Sequence, residues 1–169
     1  MSPNSQFLDG HLHVFVDAYG PPKPKLQQLA YLSFPNQDGS WNCQFIYAKN
    51  QLGKRDRSVP KNELEASYQG ALIAHNLEKF LKPNIKTKSL YTDSKIVCHW
   101  VTNDSKTLAI FERRRVASIK KIFKPSEIFY IPSGGNVTDV GTRMGVRIED
   151  VLPHSRFHAG PGFLKLGLP

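Results

Sequence analysis

Cysteine is scarce in this 169-residue chain, and its two copies, Cys43 and Cys98, stand far apart with no C-x-x-C pair. A disulfide framework and a structural zinc site are therefore excluded as organising elements, and both thiols read as ordinary core or half-buried groups. Long apolar runs are also missing. None approaches the roughly 20 residues needed to span a bilayer, so no membrane role is expected. The opening MSPNSQFLDG has neither the basic start nor the apolar centre of a signal peptide. A soluble intracellular domain is expected, in the cytoplasm or the nucleus and not secreted. Acidic residues are in deficit: 14 Asp and Glu face 23 Lys and Arg, for a formal net charge of +9 and a pI near 9.6. That balance favours a polyanionic partner, because each phosphate neutralised by Lys or Arg releases counterions. Internal repeats and low-complexity tracts are absent.

What is present suits one globular domain with a real core, at 40% hydrophobic and 22% charged residues. HLHVFVDA alternates and is rich in β-branched and aromatic residues, which predicts a first strand over His11 to Asp17. The proline-rich YGPPKPK breaks it, and LQQLAYLSF forms a second strand. PNQDGS has hairpin-loop chemistry, so WNCQFIYAK should pair antiparallel with the second strand. After the basic loop NQLGKRDRS, the segment PKNELEASYQGALIAHNLEKFLK has helical periodicity through Leu64, Tyr68, Ala71, Leu72, His75 and Leu77 to Leu81, opened by Pro60 and closed by Pro83. SLYT reads as a fourth strand, and Ile96, Val97, Trp100 and Val101 recur at helical spacing after it. KTLAIFERRRVASIKKIF reads as a further helix, EIFYIP as a last strand, SGG as a turn and NVTDVGTRMG as a short final helix. The order βββαβαβα predicts an α/β fold with a mixed five-stranded sheet flanked by helices. The domain is expected over residues 1–145, with 146–169 as a poorly packed extension.

Four acids fall at informative places: Asp17 in the first strand, Glu63 in the first turn of the first helix, Asp93 where the fourth strand gives way to a helix, and Asp139 in the short final helix. Each also has an ordinary reading. Asp17 could form a strand-end turn, Glu63 could answer the helix dipole, Asp93 could cap a helix, and Asp139 could be a surface carboxylate. The words around them point further. FVDA (Phe15 to Ala18), VPKNELEA (Val59 to Ala66), YTDSKIVCHW and NVTDVGTRMG occur in that order. They resemble the motifs of the ribonuclease H domain of BEL/Pao-type retrotransposon polyproteins, in which IPRLEL, TDSKIVLHW and NPADLLSRG stand at the corresponding places. GPGFL (Gly160 to Leu164) is similar to the segment that follows, and the resemblance spans Val14 to Leu164. It assigns the family's glutamate to Glu63 rather than Glu65. Tyr19 departs from the family's serine after DA, and the loop IPSGGN lacks the histidine that some ribonucleases H place before the last acidic motif.

The resemblance implies a ribonuclease H-like fold and an endonuclease that cuts the RNA strand of RNA·DNA hybrids during reverse transcription, beside a reverse transcriptase polymerase domain in a parent polyprotein. It implies Asp17, Glu63, Asp93 and Asp139 as catalytic metal ligands for two Mg²⁺ ions, with Mn²⁺ able to substitute and Asp17 shared between them. The chemistry agrees: crowded carboxylates are tolerable mainly when cations compensate them, and hard oxygen ligands select Mg²⁺ or Mn²⁺. For the nucleic acid, Arg113, Arg114, Arg115, Lys120 and Lys121 supply basic charge on one helix. Asn62, Ser94 and Lys95 are candidates by position beside the acids. His11 and His13 are expected at the sheet surface, and His75 and His99 as partly buried residues. A non-catalytic module of the same fold, binding nucleic acid or protein, stays open as an alternative.

Overall fold

The computed structural model describes residues 10–81, 85–103, 105–138 and 159–166. Five strands, β1 (Gly10–Tyr19), β2 (Lys25–Pro35), β3 (Trp41–Leu52), β4 (Ile85–Thr92) and β5 (Ile128–Tyr130), form one sheet in the order β3-β2-β1-β4-β5. The pairs β1–β2 and β2–β3 are antiparallel, whereas β4 joins β1 and β5 in parallel. The expected hairpin at PNQDGS is present: the amide of Asn36 donates to the Ser40 carbonyl, and Gly39 takes a φ of 82°, a left-handed conformation that favours glycine. Helices α1 (Val59–Leu81), α2 (Lys95–Thr102) and α3 (Ile110–Ile122) complete the main elements. The predicted α3 starts late, because Ser105 to Thr107 form a separate 3-10 turn and Ala109 is extended. Ser and Thr favour turns over helix interiors.

β1 lies inside the sheet and is buried on both faces. Leu12, Val14, Val16 and Ala18 join Leu64, Ala71 and Ala74 of α1 and Val116, Ile119 and Phe123 around α3 in the larger core. Gly70 lets α1 lie close to the sheet, since a Cβ there would run into Cγ1 of Val16. Alternate residues turn the other way. Phe15, Leu29, Tyr31, Tyr91, Val137 and Leu164 build a second core, in which the Phe15 and Tyr91 rings stack 4.4 Å apart.

That second core corrects two expectations. His13 is not at the sheet surface: it is 1% exposed, with Nδ1 2.9 Å from the Tyr91 hydroxyl and Nε2 2.8 Å from Ser33 Oγ. Burial, with a smaller contribution from His11, lowers its pKa to about 3, so it is neutral. The tail is the other, in part, since 146–158 and 167–169 lie outside the described residues. Ala159 to Leu166 packs on the sheet: Leu164 is fully buried, and the Phe163 ring lies 5.6 Å from that of Tyr91. Apolar residues too scattered to show a period still find a large aromatic face to cover. His75 is half-buried as expected, but His99 is exposed and meets the Asn103 side chain instead. Cys43 and Cys98 are free and half-buried. No helix among the described residues is long and apolar enough to cross a membrane.

Leu164→Ala should cost about 2–5 kcal/mol, the usual range for emptying a buried leucine site. Urea unfolding checks this, and an unchanged midpoint would contradict a packed tail.

Candidate functional site

The parallel pairing of β1 and β4 ends on the rung Val16–Thr92. Asp17 and Asp93 are the next residues on each strand, so two half-buried carboxylates leave neighbouring strands at the same carboxyl edge. Glu63 approaches from α1. The helix begins at Val59, which puts Glu63 in the second turn rather than the first. Ser94 draws it in: Ser94 Oγ donates to Glu63 Oε2 at 2.6 Å and accepts from the Val97 amide as the cap of α2. The Ser94 amide in turn donates to Thr92 Oγ1 at 3.1 Å. One buried hydroxyl thus ties the end of β4, the start of α2 and the acid on α1 together.

The Glu63 pKa is raised above the ordinary carboxylate range, chiefly by burial. The Ser94 hydrogen bond opposes the shift, and the charges of Asp93 and Asp17 add to it, so the three acids feel one another. Glu65 has a different role. Its carboxylate accepts from Arg115 Nε at 2.7 Å and lies 3.5 Å from Arg57, a paired site on the α1–α3 side. Glu65 thus has fixed positive partners in Arg57 and Arg115.

Asp139 lies outside the described residues, as does most of the helix expected over NVTDVGTRMG. The chain leading to it is described. Asn136 Nδ2 donates to the Val16 carbonyl at 2.9 Å, and the Thr138 hydroxyl and amide both donate to Asn136 Oδ1. Thr138 is therefore buried beside the residue that precedes Asp17. Among the described residues, no three His, Cys, Asp or Glu side chains converge closely enough to hold a metal ion. The donor chemistry nevertheless fits a hard divalent cation: Asp17, Glu63 and Asp93 are three half-buried carboxylates, and the first and last lie near enough for their charges to raise the Glu63 pKa.

The nucleic-acid candidates separate. Lys95 is exposed next to Asp93, with its ammonium 5.4 Å above the Tyr130 ring. Tyr130, opposite Thr92 on β5 and exposed, is a site-edge residue that sequence reading passed over. Its only signal was an aromatic at the end of a short strand. Arg113, Arg114, Lys120 and Lys121 are exposed together on α3, although Lys120 also reaches the Asn103 carbonyl at 3.4 Å. Arg115 is instead held by Glu65 and lies 4.3 Å over the Tyr68 ring. Asn62 is 2% exposed; its amide brackets Lys54, donating to the carbonyl and accepting from the N–H. Asn62 and Arg115 are thus each tied to a neighbouring segment, and the buried Ser94 turns its hydroxyl to Glu63.

This sheet order, with acids at the carboxyl edge of two parallel strands and a third on the crossing helix, defines a ribonuclease H-like domain. The model of the Pao retrotransposon-like RNaseH-like domain matches residues 2–94, more than half of the chain, and the chain belongs to that family. No curated protein matches it. Among solved structures it is similar to RNase H1 from Halobacterium salinarum NRC-1, with a TM-score of 0.53 and 14% identity over 73% of this chain and 87% of that one. It is also similar to the N-terminal RNase H domain of a Mycobacterium tuberculosis protein, with a TM-score of 0.52 and 13% identity over 75% and 85%. A foamy viral protease-reverse transcriptase in complex with RNA/DNA hybrid aligns with a TM-score of 0.50 and 12% identity, over 84% of this chain and 19% of that one. At these identities the likeness shows the fold.

Ser94→Ala should raise the Glu63 titration midpoint further, because the lost hydrogen bond favours the ionised form, and should cost about 0.5–2 kcal/mol through the lost helix cap. Carboxyl-carbon NMR follows the midpoint, and a shift downward would contradict the assigned contact.

Proposed function

We propose that the domain is a metal-dependent endonuclease that hydrolyses the RNA strand of RNA·DNA hybrids during reverse transcription of a retroelement. The observation that carries this reading is the gathering of Glu63 toward Asp17 and Asp93 at the sheet edge, with Glu63 held by Ser94 against its neighbours' charge. Asp17, Glu63, Asp93 and Asp139 would hold two Mg²⁺ ions, or Mn²⁺ in their place. When bound, the pair would activate water and stabilise the leaving oxygen of a phosphodiester.

The chain's own groups favour water as nucleophile. Burial pushes the Cys43 thiol up to about 11 and the Cys98 thiol upward as well, so neither offers a thiolate near neutral pH. His13 is neutral and enclosed, and the loop before Asp139 supplies no histidine. Substrate grip falls to Lys95 at the site and to Arg113, Arg114, Lys120 and Lys121 on α3, whose charge suits a polyanion. An A-form-like hybrid is recognised through phosphates and 2′-hydroxyls in a wide minor groove. The family description is that of a retrotransposon domain, and one structural neighbour is a reverse transcriptase bound to RNA/DNA hybrid. These support an intracellular role beside a polymerase domain. A non-catalytic binding module is the second reading, supported by the exposed Arg113, Arg114, Lys120 and Lys121 on α3, which suit a polyanion with or without cleavage.

Cleavage of a labelled hybrid, with Mg²⁺, Mn²⁺ or chelator, separates the two. The endonuclease reading expects the RNA strand alone to be cut, only with metal, and a loss of at least about a thousandfold in a folded Asp93→Asn variant. Hydrolysis retained in that variant would refute the assignment.

A further inference from the structure

Two residues before each of three acids stands a member of the second core: Phe15 before Asp17, Tyr91 before Asp93 and Val137 before Asp139. Phe15 and Tyr91 face each other in the β1–β4 register, and their rings stack 4.4 Å apart, 10° from parallel. The C-terminal segment closes over this pair. The Phe163 ring tilts against both, 6.2 Å from Phe15 and 5.6 Å from Tyr91, within the range at which aromatic rings attract. Leu164, fully buried, belongs to the same core as Val137. Glu63 arrives from elsewhere, since its neighbour Leu64 on α1 packs in the larger core.

Phe163 and Leu164 lie on a five-residue 3-10 helix, Gly162–Leu166, a length that has little stability of its own. Its seating therefore depends on what it covers, and it covers the core from which three acid-bearing segments leave. Close-packed interiors transmit strain rather than absorb it. An arrangement of the acids that suits a cation is thus favoured by a filled core, and by linkage the bound cation favours the filled core equally.

We propose that Phe163 and Leu164 are positioning residues for the acidic site, so that seating of the C-terminal segment and binding of a divalent cation strengthen each other. This rests on the metal reading above and adds a segment that none of the four acidic motifs contains. Both residues act through the second core and touch neither the cation nor the reacting phosphate.

Mg²⁺ affinity, measured by calorimetry on folded protein, is compared between the wild type, Leu164→Ala, the milder Phe163→Ala at a half-buried site, and Val116→Ala, a control that empties the larger core on α3. Affinity should fall about fivefold or more in the two tail variants, the lower end of ordinary coupling between sites, and stay at the wild-type value in the control. In the wild type, Mg²⁺ should slow hydrogen exchange at the Leu164 amide, which donates to the Pro161 carbonyl at 3.1 Å and so reports seating of the segment. Wild-type affinity in both tail variants, or unchanged Leu164 exchange in a wild type that binds Mg²⁺, would overturn the coupling. An equal loss of affinity in Val116→Ala would assign the effect to general loosening and overturn it as well. A wild-type protein that binds no Mg²⁺ would overturn the metal reading itself and this inference with it.

Discussion

The parallel pairing of β1 with β4 is the constraint on which the rest of the site depends. It is made possible by apolar residues on both faces of β1, and it sets Val16 beside Thr92 as the last shared rung. Everything acidic follows from where that rung ends. Asp17 is placed by the strand register, and Asp93 directly follows the last rung of β4.

Onto that edge the structure brings a third acid by a short relay. Thr92 steadies the Ser94 backbone, Ser94 caps α2, and the same hydroxyl holds Glu63. The arrangement keeps a half-buried carboxylate near two others, whose charges disfavour its ionised form. On the opposite side of α1, Glu65 shows the contrasting solution: two arginines neutralise it, and aromatic rings beneath Arg115 hold that pair in place. Two glutamates separated by one residue are therefore held differently: arginines neutralise Glu65, and the Ser94 hydroxyl binds Glu63. The anchoring of Asn136 to the Val16 carbonyl extends the logic, since it ties the approach to Asp139 to the strand that carries Asp17.

Much of this architecture was legible before any coordinates. The hairpin chemistry of PNQDGS, the period of α1 and the strand-to-helix break at Asp93 located the elements, and the resemblance of VPKNELEA separated Glu63 from Glu65. Other features were hidden because they depend on contacts between distant segments. His13 looked like a surface residue on an alternating strand, because alternation cannot tell an exposed face from one covered by Leu164 and its neighbours. The bonds of Asn62 to Lys54 and of Arg115 to Glu65 were likewise invisible in the sequence, because each joins segments that only the fold brings together.

The central claim is that the acids at this edge form one divalent-cation site. Anomalous scattering from crystals soaked in Mn²⁺ tests it most directly. The account predicts a manganese peak bounded by Asp17, Glu63 and Asp93, with Asp139 completing the ligands. Well-ordered carboxylates with no peak between them, or manganese bound only elsewhere, would contradict it.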